Sequence, residues 1–161
     1  MGGALSDFER AAEADKELAD PHLGIGTVLY QLAVFDLAKR RRYKIYQRGA
    51  WRINKANGLP EMRRPTFELY PDSRTKTVLE AALGEFQTGQ TLRQEYGKTE
   101  GSTVVFFAPD DVEKRVRSIR FLLGYEPQTR PDDELVLVFM SYLQRAEPMG
   151  FEKLFEIETQ K

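Results

Sequence analysis

Apolar residues at helical spacing are the feature that most constrains how this chain can fold. Two such stripes are present: Val28, Leu32 and Phe35 in the first, and Leu79, Ala82, Leu83 and Phe86 in the second. The first stripe follows Asp20-Pro21 and the second follows Asp72-Ser73, and both pairs are typical of a helix start. The spacing therefore predicts one helix over about 22–38 and another that begins at Ser73 and ends at Gly89.

A shorter apolar pattern lies between these two stripes, at Tyr46, Ala50 and Ile53. It predicts a further helix over about 42–56, which Asn57-Gly58 ends with a proline beyond. Residues 59–72 contain three prolines and predict an irregular connection. This interpretation places the most basic part of the chain on a helix.

The C-terminal third of the chain has a different pattern. Residues 103–107 are β-branched and aromatic, which predicts a short strand. Asp110-Asp111 precedes a helical stripe that Gly124 ends. Glu134–Leu143 is compatible with a strand or a helix, and its length and the helix start at Pro131-Asp132-Asp133 favour a helix. We therefore expect a mainly α fold, divided into an acidic N-terminal helix (1–20), a helical domain (21–97) and a small α/β extension (98–161).

Composition limits the classes of function. The 161 residues contain no cysteine, which excludes disulfides, thiolate zinc sites and a cysteine nucleophile. The apolar runs are too short to span a membrane, and we expect an intracellular protein. Gly2 and Ser6 match the loose pattern for N-myristoylation, but Ser6 is better explained as a helix cap.

Charge is strongly segregated in a chain whose net charge is only −1. Seven of the fourteen residues from Lys39 to Arg52 are cationic, whereas the first twenty residues are acidic. Such a layout is typical of oriented docking on a partner, or of pairing between the two segments. Both alternatives stay open at this point.

Two segments, Leu29–Pro60 and Thr75–Arg93, resemble the N-terminal helical lyase domain of family X DNA polymerases, the polymerase-beta group. Residues 45–50 (IYQRGA), Ile53 and Leu59-Pro60 occupy the places of that family's arginine-containing helix and the leucine-proline after it. Glu85-Phe86, Thr88-Gly89 and Leu92-Arg93 match the end of its helix-hairpin-helix, with Thr-Gly displaced by one position. The resemblance covers residues 25–95 and implies a helical bundle that binds DNA.

The departures from that family concern its chemistry. The glycine loop that approaches a DNA phosphate is replaced by Asp72–Lys76, which contains no glycine. The lysine that forms a Schiff base aligns with Ala82, and an imine requires an amine. The resemblance therefore implies a binding module without lyase activity. Residual lyase activity stays open as a separate, enzymatic hypothesis. Lys76 is the only lysine near this loop that could replace the missing amine.

The basic segment provides the candidate binding residues, because lysine and arginine gain free energy from counterion release and arginine also binds phosphate with two hydrogen bonds. Trp51 or Tyr43 could stack on an unpaired base. The predicted nucleic-acid-binding residues, for DNA or RNA, are Lys39, Arg40, Arg41, Arg42, Lys44, Arg48, Trp51, Arg52, Arg63 and Arg64.

Three alternatives to nucleic-acid binding stay open. The arginines could pair with the acidic first helix, or form a solvated surface. In an assembly protein, the basic helix would be buried against protein partners. Five aromatic residues would be buried there with it: Phe106, Phe107, Phe139, Phe151 and Phe155.

We expect no metal, cofactor or catalytic group. His22 is the single histidine, and one histidine forms neither a metal cluster nor a catalytic triad. The aspartate pairs at 110–111 and 132–133 precede helical stripes, so they are better explained as charges at helix starts.

Overall fold

The computed structural model describes residues 2–47, 50–53, 55–63, 66–96, 107–125, 131 and 133–146. These residues form five helices: α1 (Gly2–Ala14), α2 (Asp20–Lys39), α3 (Ser73–Tyr96), α4 (Pro109–Leu123) and α5 (Asp133–Ala146). Between α2 and α3 lie four short strands: β1 (Tyr43–Gln47), β2 (Ala50–Ile53), β3 (Pro60–Arg63) and β4 (Thr66–Leu69). The fold is mainly α, as the sequence predicted.

Helix α2 is the centre of the helical body and contacts each of the other four helices. Its buried residues surround the helix rather than forming one stripe, as expected for a helix with neighbours on several sides. One hydrophobic cluster includes Val34 and Leu37 of α2, Phe86 of α3, Ile119 of α4 and Leu135 of α5. The described helices of the C-terminal third thus share a core with α2 and α3, while the predicted domain division stays a prediction.

Glycines bring the first three helices close together. A Cβ atom on Gly24 of α2 would lie 2.5 Å from the Phe8 ring of α1, and one on Gly26 would lie 3.0 Å from the Phe86 ring of α3. A Cβ atom on Gly89 would lie 2.6 Å from Leu23 Cδ2. Gly89 therefore lies inside α3 and accepts a leucine from α2, so the prediction that it ends the helix is wrong.

The helix predicted over 42–56 is absent, because this segment forms strands β1 and β2. The pattern at 46, 50 and 53 fits a helix, but Tyr43, Ile45 and Tyr46 also belong to the types that favour strands. The predicted irregular connection over 59–72 is also wrong, since it contains β3 and β4. The prolines do not prevent pairing here, because Pro60 is the first residue of β3, a position that strands tolerate.

The four strands make two nested antiparallel pairs of one hairpin, which we call the ribbon (residues 43–69). β1 pairs with β4, with Tyr43 opposite Leu69 and Lys44 opposite Glu68. Farther along the hairpin, β2 pairs with β3, with Trp51 opposite Met62 and Ile53 opposite Pro60. Among the described elements, β2 and β3 have their main contacts with each other.

The other helix boundaries partly follow the sequence. Gly124 ends α4 in the left-handed conformation (φ +77°), and α5 begins at Asp133, both as predicted. Ser6 lies inside α1, so its predicted capping role is wrong, and Asp20 is the first residue of α2 rather than its cap. The predicted strand at 103–107 lies outside the described residues except for Phe107. Within the described ranges, none of the helices combines the length and apolar character that a membrane crossing requires.

Candidate nucleic-acid interface

The ribbon begins at a tight turn that ends helix α2. The Arg42 N–H donates to Leu37 O at 2.9 Å and the Arg41 N–H donates to Ala38 O at 3.3 Å, the two bonds of a Schellman motif. Arg41 occupies the left-handed position of this motif with φ +56°, and it is the only described residue other than glycine with positive φ. Glycine is the favourable residue there, so an arginine is retained at an energetic cost.

The ribbon is held to the helices by a group of four residues that we call the neck: Arg40, Arg42, Tyr70 and Asp72. The Arg40 guanidinium donates to both Asp72 carboxylate oxygens, at 2.8 and 3.1 Å, and also to Asp36 at 2.9 Å. The Tyr70 N–H donates to Arg42 O at 2.8 Å, and Arg42 Nε donates to Tyr70 O at 3.0 Å. These bonds join the point where the chain leaves α2 to the point where it enters α3.

Asp72 also caps helix α3, as the sequence predicted. Its Oδ1 accepts the Thr75 N–H at 3.0 Å and the Thr75 hydroxyl at 2.9 Å. The hydrogen bonds from Arg40 and Thr75 hold the pKa of Asp72 well below its usual range. Asp72 and Asp36 raise the pKa of Arg40 further above its already high value. Arg40 is therefore neutralised by internal carboxylates, which disfavours its predicted role as a phosphate ligand.

Aromatic packing fixes the base of the ribbon on helix α5. The Tyr43 ring meets Phe139 edge-on with centroids 5.2 Å apart, and the Phe67 ring lies 4.7 Å from the same Phe139. Phe67 and Phe139 are buried. Tyr43 is thus committed to the body rather than to base stacking, and Phe139 is a core residue rather than an exposed aromatic of an assembly surface.

Exposed cations lie at or near the neck and at the far end of the ribbon. Lys39, Arg41, Arg42 and Lys44 have exposed side chains near the neck. At the far end, the residues 55–60, which we call the tip, are all exposed and include Lys55. Lys55 was not among the predicted binding residues, although it lies three residues after Arg52 in the same basic segment. Ten of the chain's 24 lysines and arginines lie between Lys39 and Arg64.

The register of β2 and β3 separates two kinds of residue. Directly opposite residues of an antiparallel pair occupy the same face, and successive residues alternate between faces. One face of this strand pair therefore contains the positions of Ala50, Arg52, Glu61 and Arg63, and the other face contains those of Trp51, Ile53, Pro60 and Met62. The distal ribbon combines a face that carries two arginines with a face of apolar residue types.

The predicted binding residues thus have different positions. Lys39 is the last residue of α2, Arg40 to Arg42 form the turn, Lys44 is in β1, Trp51 and Arg52 are in β2, and Arg63 is in β3. Arg48 and Arg64 lie outside the described residues. The described members of this set thus lie at the end of α2, in the turn after it and on strands β1, β2 and β3, instead of on one helix.

The acidic first helix lies toward the opposite end of α2. Phe8 of α1 contacts α2 at Gly24, whereas the neck begins at Arg40, sixteen residues and about 24 Å farther along the helix axis. The carboxylates that pair with Arg40 come from α2 and from the start of α3. This separation disfavours the predicted pairing between the acidic first helix and Arg40 at the neck.

Other polar groups form structural contacts. His22 Nδ1 lies 2.8 Å from Glu85 Oε2, which links α2 to α3 through a partly buried pair. Among the described residues, no group of three or more histidine, aspartate or glutamate side chains could hold a metal ion. Ala82, which the predicted resemblance aligns with the lyase nucleophile, is buried in the core.

No family model, curated protein or solved structure matches the chain. The resemblance to the lyase domain of family X polymerases therefore stays a prediction from the residues. One of the two segments that carry it, residues 29–60, contains strands β1 and β2 where that family has a helix.

Proposed function

We propose that the protein is a non-catalytic nucleic-acid-binding module, or a subunit of a nucleoprotein assembly, that contacts duplex DNA through the ribbon. The observation that carries the proposal is the concentration of cations along a two-stranded ribbon that leaves a helical body. Two-stranded ribbons bind DNA in its major or minor groove, whereas the major groove of double-stranded RNA is too narrow for side chains to read.

The charge on the ribbon supports a polyanionic partner. Between residues 39 and 70 there are ten cations but only two carboxylates, Glu61 and Glu68. Because the whole chain is almost neutral, this excess produces a local field rather than a general attraction. Each phosphate contact made by lysine or arginine releases counterions, which makes the binding salt-dependent.

The turn at the neck supports the same function. Arg41 has an exposed side chain at a left-handed backbone position where glycine would be more stable. A residue retained in an unfavourable conformation suggests a requirement for its side chain. A cation beside the point where the ribbon leaves the body is suitable for contact with the backbone of a bound duplex.

The test is a salt titration of binding to duplex DNA, single-stranded DNA and duplex RNA. We expect the logarithm of the affinity for duplex DNA to fall linearly with the logarithm of salt concentration. The variant K44E/R52E/K55E should lose most of this affinity, because it reverses three charges on the ribbon.

The control is K16E/K76E/K114E, which changes the net charge equally but replaces exposed lysines outside the ribbon. It should bind nearly as well as the natural protein. Equal losses in both variants would point to a general charge effect and contradict the proposal. If no nucleic acid binds at low salt and a protein partner is captured through the ribbon instead, the assembly hypothesis replaces it.

A further inference from the structure

The tip of the ribbon presents apolar residues to solvent. Leu59 has 61% of its surface exposed, and Pro60 beside it is also exposed. A single exposed leucine is common in proteins and has no special meaning by itself. Here, however, the leucine and the proline lie at the end of a basic ribbon, next to Lys55.

The backbone of the tip is held in a defined shape. Gly58 adopts the left-handed conformation with φ +71°, and the Leu59 N–H donates to Asn57 Oδ1 at 3.0 Å. An asparagine side chain that accepts this bond stabilises a turn. The turn thus fixes the backbone at Leu59 beyond the last strand pair, in which Ile53 is opposite Pro60.

The face of the distal ribbon that contains Pro60 also has Trp51, Ile53 and Met62 at its register positions, while the other face has Arg52 opposite Glu61 and Arg63 opposite Ala50. Apolar residue types and cationic residue types at the positions of one narrow element are complementary to the interior and the exterior of a DNA duplex, respectively. Proteins that bind the minor groove of DNA and kink it use cationic and polar side chains in the groove and insert leucine, isoleucine, methionine or proline between neighbouring base pairs.

We infer that the tip inserts Leu59 and Pro60 between two base pairs of a bound duplex and bends it. This inference rests on the proposed function and specifies its mode of binding. The cations of the ribbon hold the flanking phosphates, and the apolar pair unstacks one base step. Sites with an easily unstacked pyrimidine–purine step, such as TA, should be preferred over stiff A-tracts.

The experiment uses the full chain and three end-labelled duplexes of about 30 base pairs, a length suited to measuring a bend. One contains a central TA step, one an A-tract, and one a two-base bulge that is already kinked. Energy transfer between the end labels reports bending, and a salt titration reports binding. For the natural protein we expect the ends to approach and the bulged duplex to bind at least about tenfold more tightly than the A-tract.

The variant L59A/P60A removes the apolar pair and leaves every cation in place. It should bind with an unchanged salt dependence, without bending and without preference among the three duplexes. The control L137A removes another strongly exposed leucine, which is 54% exposed on α5, and should behave like the natural protein.

The possible failures are distinguishable. If the natural protein binds duplex DNA without bending it or preferring the bulge, the inferred insertion of Leu59 and Pro60 is wrong but the proposed function stands. The same holds if L59A/P60A still bends the duplex. If the natural protein binds none of the duplexes at low salt, both the proposed function and the inference fail.

Discussion

Arg40 and Asp72 are joined by two parallel hydrogen bonds, with Nη1 2.8 Å from Oδ2 and Nη2 3.1 Å from Oδ1. One residue follows the end of α2 and the other precedes the start of α3, so this pair closes the ribbon at its base. The Arg40 guanidinium is paired with two carboxylates of the chain itself, Asp36 and Asp72. Its function is therefore to position the ribbon.

This ion pair predicts a pH dependence of stability. The folded-state pKa of Asp72 lies below the unfolded value of about 3.9, so the folded state binds its proton less readily than the unfolded chain does. The stabilisation should be complete above about pH 5 and should disappear as the pH falls toward the folded-state pKa. Asp72→Asn keeps a residue that caps helices but removes the charge, so it should be less stable at pH 7, with a difference that shrinks below pH 5.

Urea unfolding at several pH values measures this difference. Arg40→Gln and the double variant R40Q/D72N complete a cycle that isolates the coupling between the two side chains. A separation between the natural protein and Asp72→Asn that stays constant from pH 7 to pH 3 would contradict the assignment.

The left-handed backbone of Arg41 predicts opposite effects on stability and binding. Arg41→Gly should raise the free energy of unfolding by about 0.5–1 kcal/mol, since glycine adopts positive φ without the Cβ penalty. It should also weaken DNA binding, because it removes a cation next to the ribbon. Thermal unfolding and the salt titration measure the two effects on the same preparation.

Lys39→Gly is the matched control for Arg41→Gly. It also removes one exposed cation, but Lys39 lies in the last turn of α2, where glycine lowers helix stability by up to about 1 kcal/mol. Both variants should bind DNA less tightly, and their stabilities should change in opposite directions. Undiminished binding by Arg41→Gly would exclude Arg41 from the interface.

The sequence predicted helices α2, α3, α4 and α5 because each has an apolar stripe and a recognisable start or end. It identified their buried faces less well. Val28, Leu32 and Phe35 define the stripe of α2, but Leu32 and Phe35 are only partly buried, whereas Tyr30, Val34 and Leu37 are almost completely buried. A helix with neighbours on several sides has no single apolar face for periodicity to locate.

The ribbon is the main element that was predicted wrongly, because its strands form through contacts between residues far apart in the sequence. Residues 43–47 become a strand because 66–69 pair with them and because Tyr43 packs on Phe139 nearly a hundred residues away. No window of sequence around Tyr43 contains either partner. The concentration of cations was recognised correctly, since net charge along the chain does not depend on the secondary structure that carries it.

A set of hydrogen-bonded side chains between α2, α4 and α5 should make a measurable contribution to the free energy of unfolding. The Tyr30 hydroxyl donates to Glu134 Oε2 at 2.7 Å, and the Ser118 hydroxyl lies 3.3 Å from the same oxygen. Burial and the Glu134 carboxylate raise the pKa of Tyr30 well above 10, so this hydroxyl keeps its proton at neutral pH. Tyr30→Phe should cost about 1.5–3 kcal/mol, the usual range for a hydrogen bond to a charged group.

Tyr125→Phe is the control for Tyr30→Phe, because the Tyr125 hydroxyl donates to Glu80 at 3.2 Å on the surface. The same chemical change should there cost less than about 0.5 kcal/mol. Denaturant unfolding of both variants measures the difference. Equal losses of stability at the two sites would show that burial of the Tyr30–Glu134 hydrogen bond adds nothing to the free energy of unfolding.

Two glycines of α3 predict opposite responses to the same substitution. A Cβ atom on Gly89 would meet Leu23 Cδ2 at 2.6 Å and Ala19 O at 3.3 Å, whereas one on Gly84 would meet nothing within 4 Å. Gly84→Ala should stabilise the protein by about 0.5–1 kcal/mol, because alanine favours the helix. Gly89→Ala gains the same helix propensity but must push α2 away, which costs about 1–3 kcal/mol and makes it destabilising overall.

The steric origin of the Gly89→Ala effect can be separated from other causes with Leu23→Ala. This substitution alone creates a cavity and should destabilise the protein by about 2–5 kcal/mol. In the double variant L23A/G89A, the new methyl group at position 89 occupies part of the space that Leu23 vacates, so the cost should be smaller than the sum of the two single costs. Additive costs in urea unfolding would mean that Leu23 and Gly89 are not in contact, and the close packing of α2 on α3 at this point would be wrong.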